Sequence, residues 1–258
     1  MNEVSLAPLV LLFVGGAALV AVALFLIVRR FDFRSPSTGA DTMINGFSAR
    51  ATTLFAVLLV FTIVSEFQHV DDARGTAERE ATALAQIVRD AGPFPASARA
   101  SIRAAVSAYG STVVHGEWPS LGRSGQPSPV AAAQLDALER VIQAYRPHGA
   151  VASQFYTQEV DQLNVLVSAR RDRLQDALHE VPNELVWLIF AGGLVFIATM
   201  LTFSAAKDSL LMAHIALLAG LTGGGLLVVV LFDYPFSGSV AISNAAFHQG
   251  VLHGLVPA

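Results

Sequence analysis

Residues 6–28 read LAPLVLLFVGGAALVAVALFLIV, an apolar run without a single charge. At 1.5 Å per residue, a helix of that length crosses the roughly 30 Å hydrocarbon core of a bilayer. Working outward, residues 185–206 form a second uncharged run, and residues 210–232 a third that carries one ionisable side chain, His214. A weaker stretch spans about 47–67, where Arg50 and Glu66 bracket the apolar centre 51–64. Two pairs of apolar runs therefore flank a polar middle. The pattern predicts an all-α integral membrane protein with four transmembrane helices and an inserted extramembrane antiparallel helical bundle. The expected domains are a first helix pair in 1–67, the bundle in 68–183, a second pair in 184–233, and an interfacial tail in 234–258.

Composition supports this reading independently. The chain has 258 residues, 53% of them hydrophobic and 14% charged, with a mean hydropathy of +0.55. A soluble domain carries about 25% charged residues. The net charge of −4 and the lack of a basic run argue against nucleic acid as a partner. With no cysteine, disulfides, thiolate metal sites and cysteine nucleophiles are excluded. The run 6–28 reads as a retained span rather than a cleavable signal, because arginines follow it and it is too long for a signal core.

Arg29, Arg30, Arg34 and Arg50 crowd the connection between the first two runs, which the positive-inside rule places in the cytoplasm. Lys207, in the other short connection, falls on the same side if there are four spans. Both termini and the middle region are then expected outside, in a bacterial inner membrane. Arg74, Arg79, Arg170, Arg171 and Arg173 oppose this, but segments longer than about 60 residues translocate largely regardless of charge.

The middle region reads as helical. Ala73, Ala77, Ala81, Leu84 and Val88 follow three–four spacing up to a Gly92-Pro93 stop. A second helix is expected from an N-cap at Ser97, with Ile102, Val106, Tyr109 and Val113 on one face. The Ser/Gly/Pro-rich stretch 119–129 predicts a loop, and Ser128-Pro129 a helix start. Leu135, Leu138, Ile142 and Tyr145 form the next stripe. A longer helix from about Ser153 shows Tyr156, Val160, Leu163, Val167, Leu174 and Leu178 in a near-heptad pattern.

Few residues suggest chemistry. Glu66 sits at the end of an apolar run, where a carboxylate must be paired, wetted or functional. His214 suits either a bond to a neighbouring helix or a gating role. Gly223, Gly224 and Gly225 allow close helix packing or a flexible bend. The histidines are scattered, and His248 and His253 are not at the four-residue spacing of a helical ligand pair, so no metal is expected. No phosphate loop, nucleophile elbow or zinc-protease helix occurs, so neither enzyme activity nor a cofactor is expected.

At the end of the last run the sequence reads Asp233-Tyr-Pro-Phe-Ser-Gly238, followed by Val240-Ala-Ile-Ser243 and Phe247. Further pieces occur in order: Val28-Arg29-Arg30, Phe55 to Phe61, Ser65-Glu66-Phe67, Glu78-Arg-Glu-Ala81, Tyr109, Glu117-Trp118-Pro119, Leu163-Asn164 and Arg170-Arg171-Asp172-Arg173-Leu174. Together they resemble the bacterial bestrophin-like membrane family, a domain of unknown function with a D-x-P-F-S-G signature after its last span. Bestrophins are pentameric, calcium-gated anion channels, so the resemblance implies a homo-oligomeric anion channel. In true bestrophins an acidic run after the Pro-Phe-Gly segment helps bind calcium; here 237–258 contains no Asp or Glu, and no such clasp is expected. Bestrophins also keep their middle region in the cytosol, the opposite of what the arginines here predict.

The motif also has a plain structural reading. Pro235 ends the helix at the membrane surface, Tyr234 and Phe236 suit the interface, and Asp233 can cap the turn that follows.

On the channel reading, Glu66, His214, Gly223, Gly224, Gly225 and Asp233 are candidates for the pore or its mouth. Arg170, Arg171 and Arg173 would form an anion vestibule, and Asp233, Pro235, Phe236, Ser237 and Gly238 carry the family motif. The partners would be the lipid bilayer and further copies of the chain. The alternative is a non-conducting accessory subunit of a larger membrane complex, or an envelope sensor whose bundle binds a partner.

Overall fold

The computed structural model describes residues 6–30, 38–178, 182–202, 209–238 and 240–257. Arg34 and Lys207 of the two short connections, and the side chains of Arg29 and His214, lie outside the described residues. Among the described residues the regular structure is helical. Helix α1 (Leu6–Val10) passes through a π turn, Leu11–Gly15, into α2 (Gly16–Arg30). Then come α3 (Thr38–Asp90), α4 (Ala96–Thr112), a second π turn (Val113–Glu117), α5 (Trp118–Ser124), α6 (Pro129–Ala144) and α7 (Ala150–Ala177). Helices α8 (Asn183–Thr202) and α9 (Ser209–Phe232) follow, and the tail makes two short 3₁₀ turns, Ala245–His248 and Gly250–Leu252.

Local chemistry explains most boundaries. No proline interrupts residues 38–90, so the second apolar run and the first helix of the polar middle form one continuous α3. It ends at the expected Gly92-Pro93, where the Gly92 N–H turns back to the Arg89 carbonyl at 3.0 Å. The N-cap of α4 is Pro95, in extended conformation, rather than Ser97, which falls inside the first turn. Residues 119–124 are helical rather than looped: Pro119 suits a first turn that needs no N–H, and Gly125 ends the helix in the left-handed conformation at φ 64°. Ser128 caps α6 as its sequence predicts, its Oγ accepting from the Ala131 N–H at 3.3 Å. Helix α7 starts at Ala150, one turn earlier than Ser153, behind Gly149 at φ 88°.

The fold comprises two compact units. One contains Glu3–Gln68 and Glu180–Asp233. In it α2 runs along α9, and Ala21, Phe25, Phe196, Ile215 and Ala219 form a core, with the Phe55 and Phe196 rings 5.9 Å apart. Among the described residues three helical stretches are long and apolar enough to cross a membrane: Leu6–Ile27, Arg50–Asp90 and Ile215–Phe232. A fourth, Glu184–Phe196, is apolar but shorter among the described residues. Along α3, Leu54, Val57, Val60, Phe61, Val64 and Phe67 are all exposed, a large apolar stripe at helical spacing.

The other unit contains His69–His179 and Tyr234–Ala258. Helix α4 packs on α6, and α6 on α7. Its core holds the expected stripes of α3, α4 and α6, with Ala73, Ala77, Leu84, Ile102, Val106, Leu135, Leu138 and Ile142 all buried. Helix α7 departs from expectation. Its buried face is Glu159, Leu163, Leu166, Ala169 and Arg173, while Leu178 of the apolar stripe is 60% exposed. The face is rotated because two charged residues belong to it.

Candidate functional site

The most elaborate polar arrangement lies inside the unit of 69–179 and 234–258. Glu80 occurs on the small-residue face of α3, between Ala77 and Ala81, and is fully buried. Arg173 on α7 is equally buried and forks onto it, with Nε 2.5 Å from Oε2 and Nη2 3.1 Å from Oε1. The same Nη2 donates to Glu117 Oε2 at 2.6 Å. Arg170, one turn earlier on α7, donates from Nη2 to Glu117 Oε1 at 2.7 Å. The Tyr109 hydroxyl donates to Glu80 Oε1 at 2.6 Å, and the Ser128 N–H to Glu117 Oε1 at 3.0 Å.

Two guanidinium groups thus meet two carboxylates in a set that is neutral as a whole. Such burial is tolerable only when each charge is paired and hydrogen-bonded, as here. Burial works against the Arg173 charge, but the Glu80 carboxylate more than reverses this and raises its pKa above the usual arginine range. Burial would likewise raise Glu117; the Arg173 charge and the hydrogen bonds from Arg170 and Arg173 outweigh it and hold the carboxyl below its ordinary value. Tyr109 is raised, by burial first and then by the Glu80 charge, so its hydroxyl keeps its proton.

The π turn Val113–Glu117 brings Glu117 and Trp118 to this set. Such turns insert an extra residue and change the direction in which side chains point. Trp118 covers the Arg173 guanidinium, whose carbon is 5.3 Å from the ring centre. On its other edges the indole meets Phe236 at 5.4 Å and Phe247 at 5.9 Å, both edge-on, and its N–H donates to the Ile242 carbonyl at 3.1 Å. Gly122 completes the seat, since a Cβ there would lie 2.5 Å from the Phe236 carbonyl oxygen. The Ile242 N–H closes the tail on itself at the Pro235 carbonyl, 2.8 Å away. With Glu80, Tyr109, Glu117 and Arg173 shut off from solvent, the set acts by position. It fixes α3, α4, α7 and the motif segment in one register.

The residues singled out from sequence divide accordingly. Pro235 and Phe236 are buried in the tail's seat, Ser237 is half-buried, and Gly238 is exposed at φ 79°. Arg170 and Arg173 are turned inward onto carboxylates, so of the three vestibule arginines only Arg171 is exposed. In the unit of Glu3–Gln68 and Glu180–Asp233, Glu66 is 5% exposed and Asp233 is half-buried at the end of α9. A Cβ on Gly223 would run into the Phe13 carbonyl and Ala17, and one on Gly225 into Leu59, whereas on Gly224 it would meet Val14 at an ordinary 3.7 Å. His214 is in α9, with its side chain outside the described residues.

The sequence places Tyr109 on the packed face of α4 and holds Glu80, Glu117, Trp118 and Arg173 among the motif pieces, but does not show that they meet. The available signal was a charged residue on an apolar register, at position 80 of α3 and again at 173 of α7.

The Bestrophin-like domain model matches residues 15–247. Among solved structures, two point variants of a bacterial Bestrophin homolog from Klebsiella pneumoniae align with TM-scores of 0.67 and 0.68, at 15% and 14% identity. The first alignment covers 96% of both chains, and the second covers 99% of this chain and 98% of the other. A third variant aligns with a TM-score of 0.68 at 16% identity over 97% of both. Comparison with curated proteins gave no match. At these identities the structural likeness is one of fold, and it runs nearly the length of each chain. The family match over 15–247 decides the membership: this multi-pass membrane protein belongs to the Bestrophin-like domain family.

Proposed function

We propose that several copies of this chain assemble in the bilayer around a central route for anions. The observation that carries this reading is the family match over 15–247, joined to a bestrophin fold across nearly the whole chain. Each copy would contribute four spans, about 6–28, 47–67, 185–206 and 210–232, and an extramembrane helical bundle. The exposed stripe Leu54, Val57, Phe61, Val64 and Phe67 on α3 supports a lining role for span two, since a ring of such side chains can gate by dewetting. Glu66 and Asp233 are the ionisable groups we assign to the mouth of that route. Helix α9, whose glycine face is filled by Phe13, Ala17 and Leu59, would brace the lining rather than form it.

Purified protein in liposomes should pass chloride and sediment as an oligomer in detergent. A stable monomer, or liposomes tight to small anions, would sink the channel reading. The apolar character of the exposed span faces favours a second reading, a non-conducting subunit of a larger membrane complex. A stoichiometric foreign protein that co-purifies would support that one.

For orientation we propose that the bundle faces outward, on the strength of Arg29, Arg30, Arg34 and Arg50 between the first two spans. A cysteine introduced at exposed Val151 should then react with an impermeant maleimide added to intact cells. Labelling only after lysis would put the bundle in the cytosol.

A further inference from the structure

Glu159 on α7 is a buried carboxyl that the Arg173 set does not use. It has no exposure, and neither Oε1 nor Oε2 has a hydrogen-bond partner among the described residues. Its charged neighbour is Asp90, the last residue of α3, which is 3% exposed and accepts from Gln86 Nε2 at 2.8 Å. Among the described residues no ion pair reaches either carboxylate. Arg89, beside Asp90 on α3, is exposed, and Arg99 of α4 donates instead to the Gly92 and Phe94 carbonyls. A row of three aromatic rings lies close to both residues in sequence. Phe94 is four residues past Asp90, Tyr156 is three before Glu159, and Tyr145 links them at 4.3 Å and 6.0 Å.

A carboxyl shut off from solvent with neither oxygen hydrogen-bonded, and with the charge of a second carboxylate acting on it, ionises only at high cost. A bound metal would relieve them, but hard cations take six or more oxygen ligands, and no group of three acidic or histidine side chains gathers among the described residues. A proton is the ligand that fits.

We propose that Glu159 and Asp90 form a proton-binding site, with one proton held on Glu159 at neutral pH. Its loss would loosen the corner of the bundle where the end of α3 meets the first half of α7. The direction of titration agrees. Burial, and after it the Asp90 charge, raises the Glu159 carboxyl from an ordinary 4.5 to about 8. The folded chain therefore holds a proton that the unfolded chain has released across that window. The site's contribution is complete below the ordinary carboxyl pKa and is lost as pH rises through about 8. The proposal concerns the bundle alone and does not depend on conduction.

The test uses the full chain in lipid nanodiscs. The wild type should show the infrared band of a protonated carboxylic acid at neutral pH, bleaching as the pH passes about 8. As the pH rises from the ordinary carboxyl range to about 8, amides of α7 near Glu159 should lose protection beyond the intrinsic rise of exchange with pH, and level off above it. Glu159→Gln keeps the neutral shape, so it should remove the band and flatten the exchange response. Asp90→Asn removes the like charge, so it should keep the band and move its bleaching to lower pH. A wild type without the band at neutral pH overturns the proposal. So does a Glu159→Gln protein that keeps the wild-type pH response, or an Asp90→Asn protein whose midpoint does not move.

Discussion

Arg173 grips Glu80 through two hydrogen bonds, although the residues are 93 positions apart and both side chains are closed to solvent. A bidentate fork is directional as well as strong, so it sets the rotation of α7 against α3. That rotation explains why the apolar stripe of α7 is not its packed face. The helix turns until Arg173 reaches Glu80 and Glu117, and Leu163, Leu166 and Ala169 fill the space alongside.

Removing the central cation should therefore cost more than removing an exposed one. Arg173→Met leaves Glu80 and Glu117 buried with a missing partner, and breaking a buried pair in this way costs roughly 3–5 kcal/mol. Arg171→Met, at an exposed position, should fall within about 0.5 kcal/mol of wild type. Chemical denaturation in detergent checks both. The double variant Glu80→Gln/Arg173→Met should be less unstable than the two single losses added together, because neither partner is then stranded. Strict additivity would mean that the fork contributes nothing specific.

Acid should act on the same set through Glu117. Its carboxyl is held below its ordinary value in the fold, so the native chain releases the proton more readily than the unfolded one. The stabilisation is present above the ordinary carboxyl pKa and disappears as pH falls through the depressed one. Thermal unfolding followed downward from neutral pH should thus show a falling midpoint in the wild type. In Glu117→Gln, less stable at neutral pH, the fall should be shallower. Glu159 is shifted in the opposite sense, so the two sites should respond to pH in opposite directions.

Which of these features could be read from sequence follows from their range along the chain. Hydropathy and capping are local, so the apolar run at 6–28, the Gly92-Pro93 stop and the Ser128-Pro129 start lie in view within one or two turns. The 119–129 stretch misleads because Pro and Gly serve both loops and helix ends. Pro119 opens α5 and Gly125 closes it. Arg170 and Arg173 look like a surface cluster in sequence, because nothing local announces Glu117, 53 and 56 residues earlier. Glu159 was invisible for the same reason: a carboxylate between Tyr156 and Val160 reads as a solvated position until Asp90 arrives from another helix.

The seat of the tail should be sensitive to a single methyl group. Gly122→Ala would drive a Cβ to 2.5 Å from the Phe236 carbonyl oxygen, and backbone on both sides leaves little room to yield. Overpacking of this kind costs typically about 1–3 kcal/mol. Trp118→Phe should weaken the same seat by leaving the Ile242 carbonyl without its donor. Limited proteolysis should cut both variants faster after residue 234 while α4 and α6 remain intact. Unchanged cleavage would separate the motif segment from this contact.

The glycine triplet of α9 gives the cleanest contrast between packing and gating. A Cβ on Gly223 would overlap the Phe13 carbonyl and approach Ala17 at 2.8 Å, and neither can swing away. On Gly225 it would come to 2.8 Å from Leu59 Cδ2, the far end of a flexible side chain. On Gly224 it would meet only Val14 Cγ2 at 3.7 Å, an ordinary contact. If packing is the reason for these glycines, alanine variants should lose stability in the order 223, then 225, then 224. Gly224→Ala should even gain slightly from the better helix propensity of alanine, worth up to about 1 kcal/mol. A hinge for gating predicts otherwise, because any added side chain would stiffen the bend. Gly224→Ala would then be stable yet altered in flux. Thermal midpoints and liposome flux on the three variants separate the cases, and the fit of Phe13, Ala17 and Leu59 around α9 favours the packing order.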